Sequence, residues 1–179
     1  VNDYVSSLAS TGNPFVSATD IDELTFACWI KPDVGQFPTA GVPGQYKWIA
    51  GSYRNSDFRG IGLVVRSRTQ GTLHWVPAVV YGNGVDPGGG VDHRFQQADV
   101  DYDIPEDAWT HIALSYKRAF DGTLNRYRVY MNGDLAREFT LSATNSTAEW
   151  GGLGQFFGRN PDWNNTVYFG SLIDDMLIC

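Results

Sequence analysis

The sequence predicts an all-β fold: a two-sheet antiparallel β-sandwich with almost no helix. Three observations point there. Short runs with apolar residues at alternate positions recur between turn signals along the whole chain. Twenty glycines and eight prolines supply many turns, and aromatic residues make up 14% of the chain. Helix signals are nearly absent. With 179 residues, no internal repeat and no linker-like tract, residues 1–179 read as a single domain with a sizeable core.

The elements follow in order. Leu24-Thr25-Phe26-Ala27-Cys28-Trp29-Ile30-Lys31 reads as a strand with Leu24, Phe26, Cys28 and Ile30 on one face, ended by Lys31-Pro32-Asp33. Tyr46 to Tyr53, Gly60 to Arg66 and Leu73 to Tyr81 are the next three runs. Trp109 to Tyr116 places Ile112, Leu114 and Tyr116 on one face, after a single turn at Pro105-Glu106-Asp107-Ala108. Tyr127 to Met131 and Asp134 to Leu141 flank Asn132-Gly133, a type I′ hairpin signal because both turn residues need positive φ. A last strand is expected from about Val167 to Ile178. Trp29, Trp75 and Trp109 fall inside these strands and are expected in the core, as is His111; His74, His93 and His111 show no ligand spacing. Two loop tracts, 33–46 and 82–92, are rich in glycine and proline. Such loops are binding surfaces or plain connections.

The net charge is −7 and the pI about 4.7. This argues against nucleic acid as a partner, since a phosphate-binding surface is basic. No apolar run reaches the roughly 18 residues of a membrane span. Val1 opens no signal-peptide pattern, and a mature product or a piece of a longer protein is expected. Two cysteines make neither a disulfide framework nor a zinc site. Either Cys28 and Cys179 form one bridge, worth roughly 5 kcal/mol by loop closure, or both are buried, reduced thiols.

Five segments resemble the laminin-G-like, concanavalin A-like lectin/glucanase domains. They are Asn2-Asp3-Tyr4-Val5, the Leu24–Pro32 strand, Trp109-Thr110-His111-Ile112-Ala113-Leu114-Ser115-Tyr116, the Arg128–Gly133 hairpin, and Phe169-Gly170-Ser171-Leu172-Ile173-Asp174-Asp175-Met176. They occur in the family's order and cover nearly the whole chain. The resemblance implies a jelly roll. Because this architecture hosts lectins, adhesion domains and glucanases alike, it leaves function open. It also implies that a calcium ion is a candidate cofactor, held by Asp3 with Asp174 or Asp175 if the first and last strands lie side by side. The Asp99, Asp101, Asp103 run and Asp86 or Asp92 are other acidic candidates.

Glucanases of this fold place two carboxylates about 5–5.5 Å apart in a cleft. Only four glutamates occur, Glu23, Glu106, Glu138 and Glu149, and none lies two or three residues from another. Asp99-Asp101-Asp103 is the nearest alternation, and it precedes a proline turn. An enzyme is therefore not expected. Sugars present apolar C–H faces ringed by hydroxyls, so aromatic planes beside planar polar groups are the binding candidates: Tyr46, Trp48, Tyr53, Arg54, Arg94, Arg159, Asn160, Asp162, Trp163 and Asn164. The 159–165 segment is the most lectin-like. Asn145-Ser146-Thr147 and Asn164-Asn165-Thr166 match the N-glycosylation acceptor. The expectation is a non-catalytic carbohydrate-binding or adhesion module of a secreted, cell-surface or virion-surface protein, with a glycan or glycoprotein surface as partner. The alternatives are a structural module packed against neighbouring subunits of a viral particle or filament, and a glycoside hydrolase or lyase.

Overall fold

The structure, a computed structural model, describes residues 5–7, 22–37, 44–54, 59–70, 72–83, 94–142, 155–157 and 169–179. Eleven strands are described: β1 (Val5–Ser7), β2 (Glu23–Lys31), β3 (Tyr46–Arg54), β4 (Arg59–Gln70), β5 (Thr72–Asn83), β6 (Arg94–Gln97), β7 (Thr110–Lys117), β8 (Leu124–Met131), β9 (Asp134–Ser142), β10 (Gln155–Phe157) and β11 (Leu172–Ile178). All pairings are antiparallel. One sheet has the order β1-β10-β3-β4-β5-β6, the other β11-β2-β7-β8-β9. The predicted sandwich is therefore the observed fold. The only helical piece among the described residues is a 3₁₀ turn, Val100–Tyr102.

The core lies between the sheets and follows the two-residue alternation of the strands. Leu24, Phe26, Cys28 and Ile30 of β2 and Ile112, Leu114 and Tyr116 of β7 face Ile61, Leu63 and Val65 of β4 and Trp75, Val79 and Tyr81 of β5. An aromatic cluster joins the layers: Tyr127 stacks on Phe139 at 4.6 Å and meets Tyr116 at 5.0 Å and Tyr81 at 5.8 Å. Phe37 closes the core by stacking on Trp75 at 4.9 Å. Glu106 holds that closure, accepting the N–H of Gly35 at 2.9 Å and of Phe37 at 2.6 Å.

Trp48, expected on a binding loop, is fully buried. It lies on the other face of the six-stranded sheet with Val64, Ala78 and Val80, against Tyr46 and Phe95. Its indole covers Gly62, where a Cβ would sit 2.3 Å from the ring. The register slips between Trp48 and Ala50, which puts both Ile49 and Ala50 into the main core.

The Asp99–Asp103 run is no strand. Asp99 precedes the 3₁₀ turn, its backbone carbonyl accepting the Tyr102 N–H at 3.1 Å, and its carboxylate pairs with Arg68 at 2.6 Å. Asp103 accepts the N–H of Trp75 at 2.8 Å and contacts His74 at 3.0 Å. His74 in turn lies 3.3 Å from the Thr72 hydroxyl. These carboxylates strap the turn to β4 and β5.

The Cys28–Cys179 bridge does not form; both thiols are free. Cys179 is hydrogen-bonded through its backbone to Thr25, at 2.7 and 3.1 Å. Cys28 lies three residues further along β2, roughly 10 Å at strand rise, and a disulfide spans less than about 7 Å between Cα atoms. Cys28 also points into the core, where burial pushes its thiol up to about 12. The reading of two buried thiols fails for Cys179, which is exposed.

Two outcomes follow from this packing. Gly62→Ala should lower stability by about 1–3 kcal/mol through overpacking against Trp48, measured by urea denaturation. A thiol reagent such as DTNB should titrate one cysteine in native protein, Cys179, and both only after denaturation.

Candidate functional site

The strand alternation that buries Phe26, Cys28 and Ile30 turns Trp29 and Lys31 to the opposite, outer face of the five-stranded sheet. In the pairing of β2 with β7, Trp29 stands directly across from His111. Their rings meet edge to face, with centroids 5.3 Å apart. Trp109 lies two residues before His111, just ahead of β7. Both indoles are open to solvent, Trp29 at 39% and Trp109 at 45%. The core expectation therefore holds for Trp75 and fails for Trp29, Trp109 and the half-exposed His111.

The β8–β9 hairpin completes the site. Asn132 and Gly133 have φ of 51° and 92°, the positive values expected of the Asn-Gly turn. Asn132 also docks the turn onto β7. Its N–H donates to the His111 carbonyl at 2.8 Å, and its Oδ1 accepts the His111 N–H at 2.9 Å. Trp29, Trp109, His111, Asn132 and Gly133 line an open depression of about 670 Å³. Among the described residues its lining is aromatic and amide, with no carboxylate.

A second tether sets Trp109. Asp107, at φ 56°, donates its N–H to the Pro32 carbonyl at 2.8 Å, and its carboxylate pairs with Lys31 at 2.8 Å. The turn carrying Trp109 is thus fixed to the end of β2 that carries Trp29. An exposed ion pair contributes only about 0–1 kcal/mol, so its effect is positional.

The residues expected from sequence to bind sugar are not gathered here. Tyr46 packs at 5.0 Å against Phe95, over which the Arg66 guanidinium lies at 4.5 Å. Tyr53 and Arg54 end β3 and Arg94 begins β6. The register brings these three backbones to one end of the six-stranded sheet, away from Tyr46; their side chains lie outside the described residues. Arg159, Asn160, Asp162, Trp163, Asn164 and both N-glycosylation matches also lie outside them, as do Asp86 and Asp92 of the glycine-rich loop.

Asp3 of the proposed calcium set lies outside the described residues as well. Asp174 and Asp175 are exposed at a bulge of β11, where Asp174 Oδ1 accepts the Asp175 N–H at 2.9 Å. β11 edges the five-stranded sheet and β1 the six-stranded one, so the two strands are not hydrogen-bonded neighbours. Calcium takes six to eight oxygens, and among the described residues no three His, Cys, Asp or Glu side chains gather to hold a metal. The described carboxylates do not by themselves fit the ion.

The family model described as the concanavalin A-like lectin/glucanases superfamily matches residues 2–179. The chain belongs to this superfamily. Solved structures share its fold at low identity. A native heptameric SAP-like pentraxin from Limulus polyphemus is 14% identical, with a TM-score of 0.57 over 99% of this chain and 76% of its own. The CBM40 of the Ruminococcus gnavus IT-sialidase, solved with α2,3-sialyllactose, is 12% identical, with a TM-score of 0.57 over 89% of this chain and 76% of its own. Tailspike protein 2 of the Escherichia coli O157:H7 bacteriophage CAB120 is 14% identical, with a TM-score of 0.54 over 99% of this chain and 21% of its own. No curated protein sequence matches. Among the described residues no helix is long and apolar enough to cross a membrane.

Sequence reasoning missed Trp29, Trp109, His111 and the Asn132 side chain as a site. The signal was present: once Phe26, Cys28 and Ile30 face inward, Trp29 must face outward, and Ile112 inward puts His111 outward.

Asn132→Gly keeps a residue that accepts positive φ but loses the side-chain acceptor. The variant should fold with the hairpin intact and lose about 1 kcal/mol of stability, read by denaturation. A red shift of tryptophan emission should accompany it as the site loosens.

Proposed function

We propose that this domain is a non-catalytic glycan-binding module of a secreted, cell-surface or virion-surface protein. One observation carries the reading. Two solvent-open indoles flank an imidazole and an Asn-Gly turn on a rigid sheet face. Exposed large apolar side chains grouped in one place mark interaction sites. Indole planes suit the C–H faces of a pyranose, while the amide of Asn132 and the ring nitrogens of His111 suit its hydroxyls. Membership of a lectin-type superfamily supports the ligand class, and so does the sialyllactose bound by the structurally similar CBM40. The tailspike likeness supports a virion surface among the settings. The described lining residues include no carboxylate, which supports binding without catalysis, because glycoside hydrolysis needs two placed carboxyl groups.

A structural role against neighbouring subunits is the second reading. Leu172 and Leu177, 56% and 52% exposed on the edge strand β11, favour it. Concentration-dependent light scattering separates the two, since the structural reading requires self-association or a partner chain.

Glycan-array binding followed by titration is the direct test. Trp29→Ala and Trp109→Ala should each weaken the bound glycan at least tenfold, about 1.4 kcal/mol, with unchanged melting temperature. Repeating the titration with calcium and with a chelator tests the cofactor. No reducing ends should be released from any bound polysaccharide. Full binding by both tryptophan variants would falsify this placement of the site.

A further inference from the structure

We infer that the depression between Trp29 and Trp109 takes an uncharged sugar face and refuses acidic glycans. This rests on the glycan-binding reading above and adds the charge class of the ligand. Among the described residues its lining contains no Lys, Arg, Asp or Glu, and the charge standing opposite Trp29 on β11 is the exposed carboxylate of Asp174. Lys31, two residues along β2 from Trp29, is already engaged, and so are other described cations of this face further from the depression. On the outer face of the same sheet Lys31 pairs with Asp107 at 2.8 Å, Lys117 pairs with Glu23 at 2.6 Å, and Arg128 pairs with Glu138. Arg126 lies over the Phe120 ring at 4.5 Å.

A sialate or uronate carboxylate is recognised by charge-assisted hydrogen bonds, best from a free guanidinium fork. Here it would lose water without gaining a cation. It would also approach Asp107, on a chain of net charge −7. A neutral sugar meets no such cost. The Asn132 amide nitrogen and the His111 ring nitrogens have no protein partner among the described residues. They are available to hydroxyls, while the two indoles cover the C–H face.

The test titrates the intact domain with neutral gluco-, galacto- and mannotetraoses, with 3′-sialyllactose and with an alginate tetrasaccharide. Calorimetry reads the affinity, and only binding abolished by Trp29→Ala is counted. At least one neutral glycan should bind about tenfold or more tighter than either acidic one, the discrimination of about one lost polar contact. An acidic glycan that binds this site as tightly as the neutral ones overturns the inference and leaves the glycan reading standing. If no glycan of either class binds there, the glycan reading itself fails and the inference with it.

Asp107→Asn provides an independent check. It frees Lys31 beside the indoles, so 3′-sialyllactose should bind several-fold more tightly than to the parent, provided thermal melting shows the fold retained. A folded variant with no such gain counts against charge as the basis of refusal. If the variant unfolds, Asp107→Ser, with the same readout, replaces it.

Discussion

The structure depends on the register of β2 against β7. Cys28 opposite Ile112 and Trp29 opposite His111 are successive rungs of one ladder, facing opposite ways. The first rung is core and the second is site. A slip of β2 by one residue would turn that strand over, burying the Trp29 indole and exposing Phe26, Cys28 and Ile30. Each such apolar side chain contributes about 1.5–3 kcal/mol when buried, so the register is strongly held. β11 reinforces it from the other side, pairing Ile173 with Ile30 and Ile178 with Phe26.

The ends of these strands are held less by apolar burial than by two left-handed residues. Asn132 and Asp107 both have positive φ, a conformation that costs a non-glycine residue of order 1–3 kcal/mol. Each is offset by two contacts to a neighbouring strand end: Asn132 to His111, Asp107 to Pro32 and Lys31. Trp109 and the Asn132 amide are thereby set beside Trp29 before any ligand arrives. A site so preorganised loses little conformational freedom on binding.

The fold was readable because its inner-face rule is local. Leu24-Phe26-Cys28-Ile30 and Ile112-Leu114-Tyr116 declare their period without help from the rest of the chain, and Asn132-Gly133 declares its turn. The site needed the same rule applied to the residues between them. A place inside a predicted strand puts Trp29 and Trp109 in the core, but alternation turns Trp29 outward and β7 begins only after Trp109. Trp48 shows the reverse case. Its burial depends on Gly62, on the neighbouring strand, leaving room for the ring, and no local pattern displays that. The cysteine pairing failed for a related reason: it depends on which face Cys28 occupies and on where the final strand ends its pairing. The Asp99–Asp103 alternation shows no cleft in sequence or in space: the backbone turns there and Asp103 accepts a hydrogen bond from β5.

The solved structures at 12–14% identity share the fold alone. A common sandwich fold constrains the inner faces of its sheets and not outer-face side chains such as Trp29. Ligand chemistry must therefore be argued from the outer face itself. Along its basic positions, Lys31, Lys117 and Arg128 each meet a carboxylate. The basic positions are thus neutralised in space, while Asp174, the cross-strand neighbour of Trp29, stays exposed. Two indoles interrupt this charged face, and that interruption, neutral through the residues that line it and not through the composition of a chain of net charge −7, is the feature a sugar would recognise.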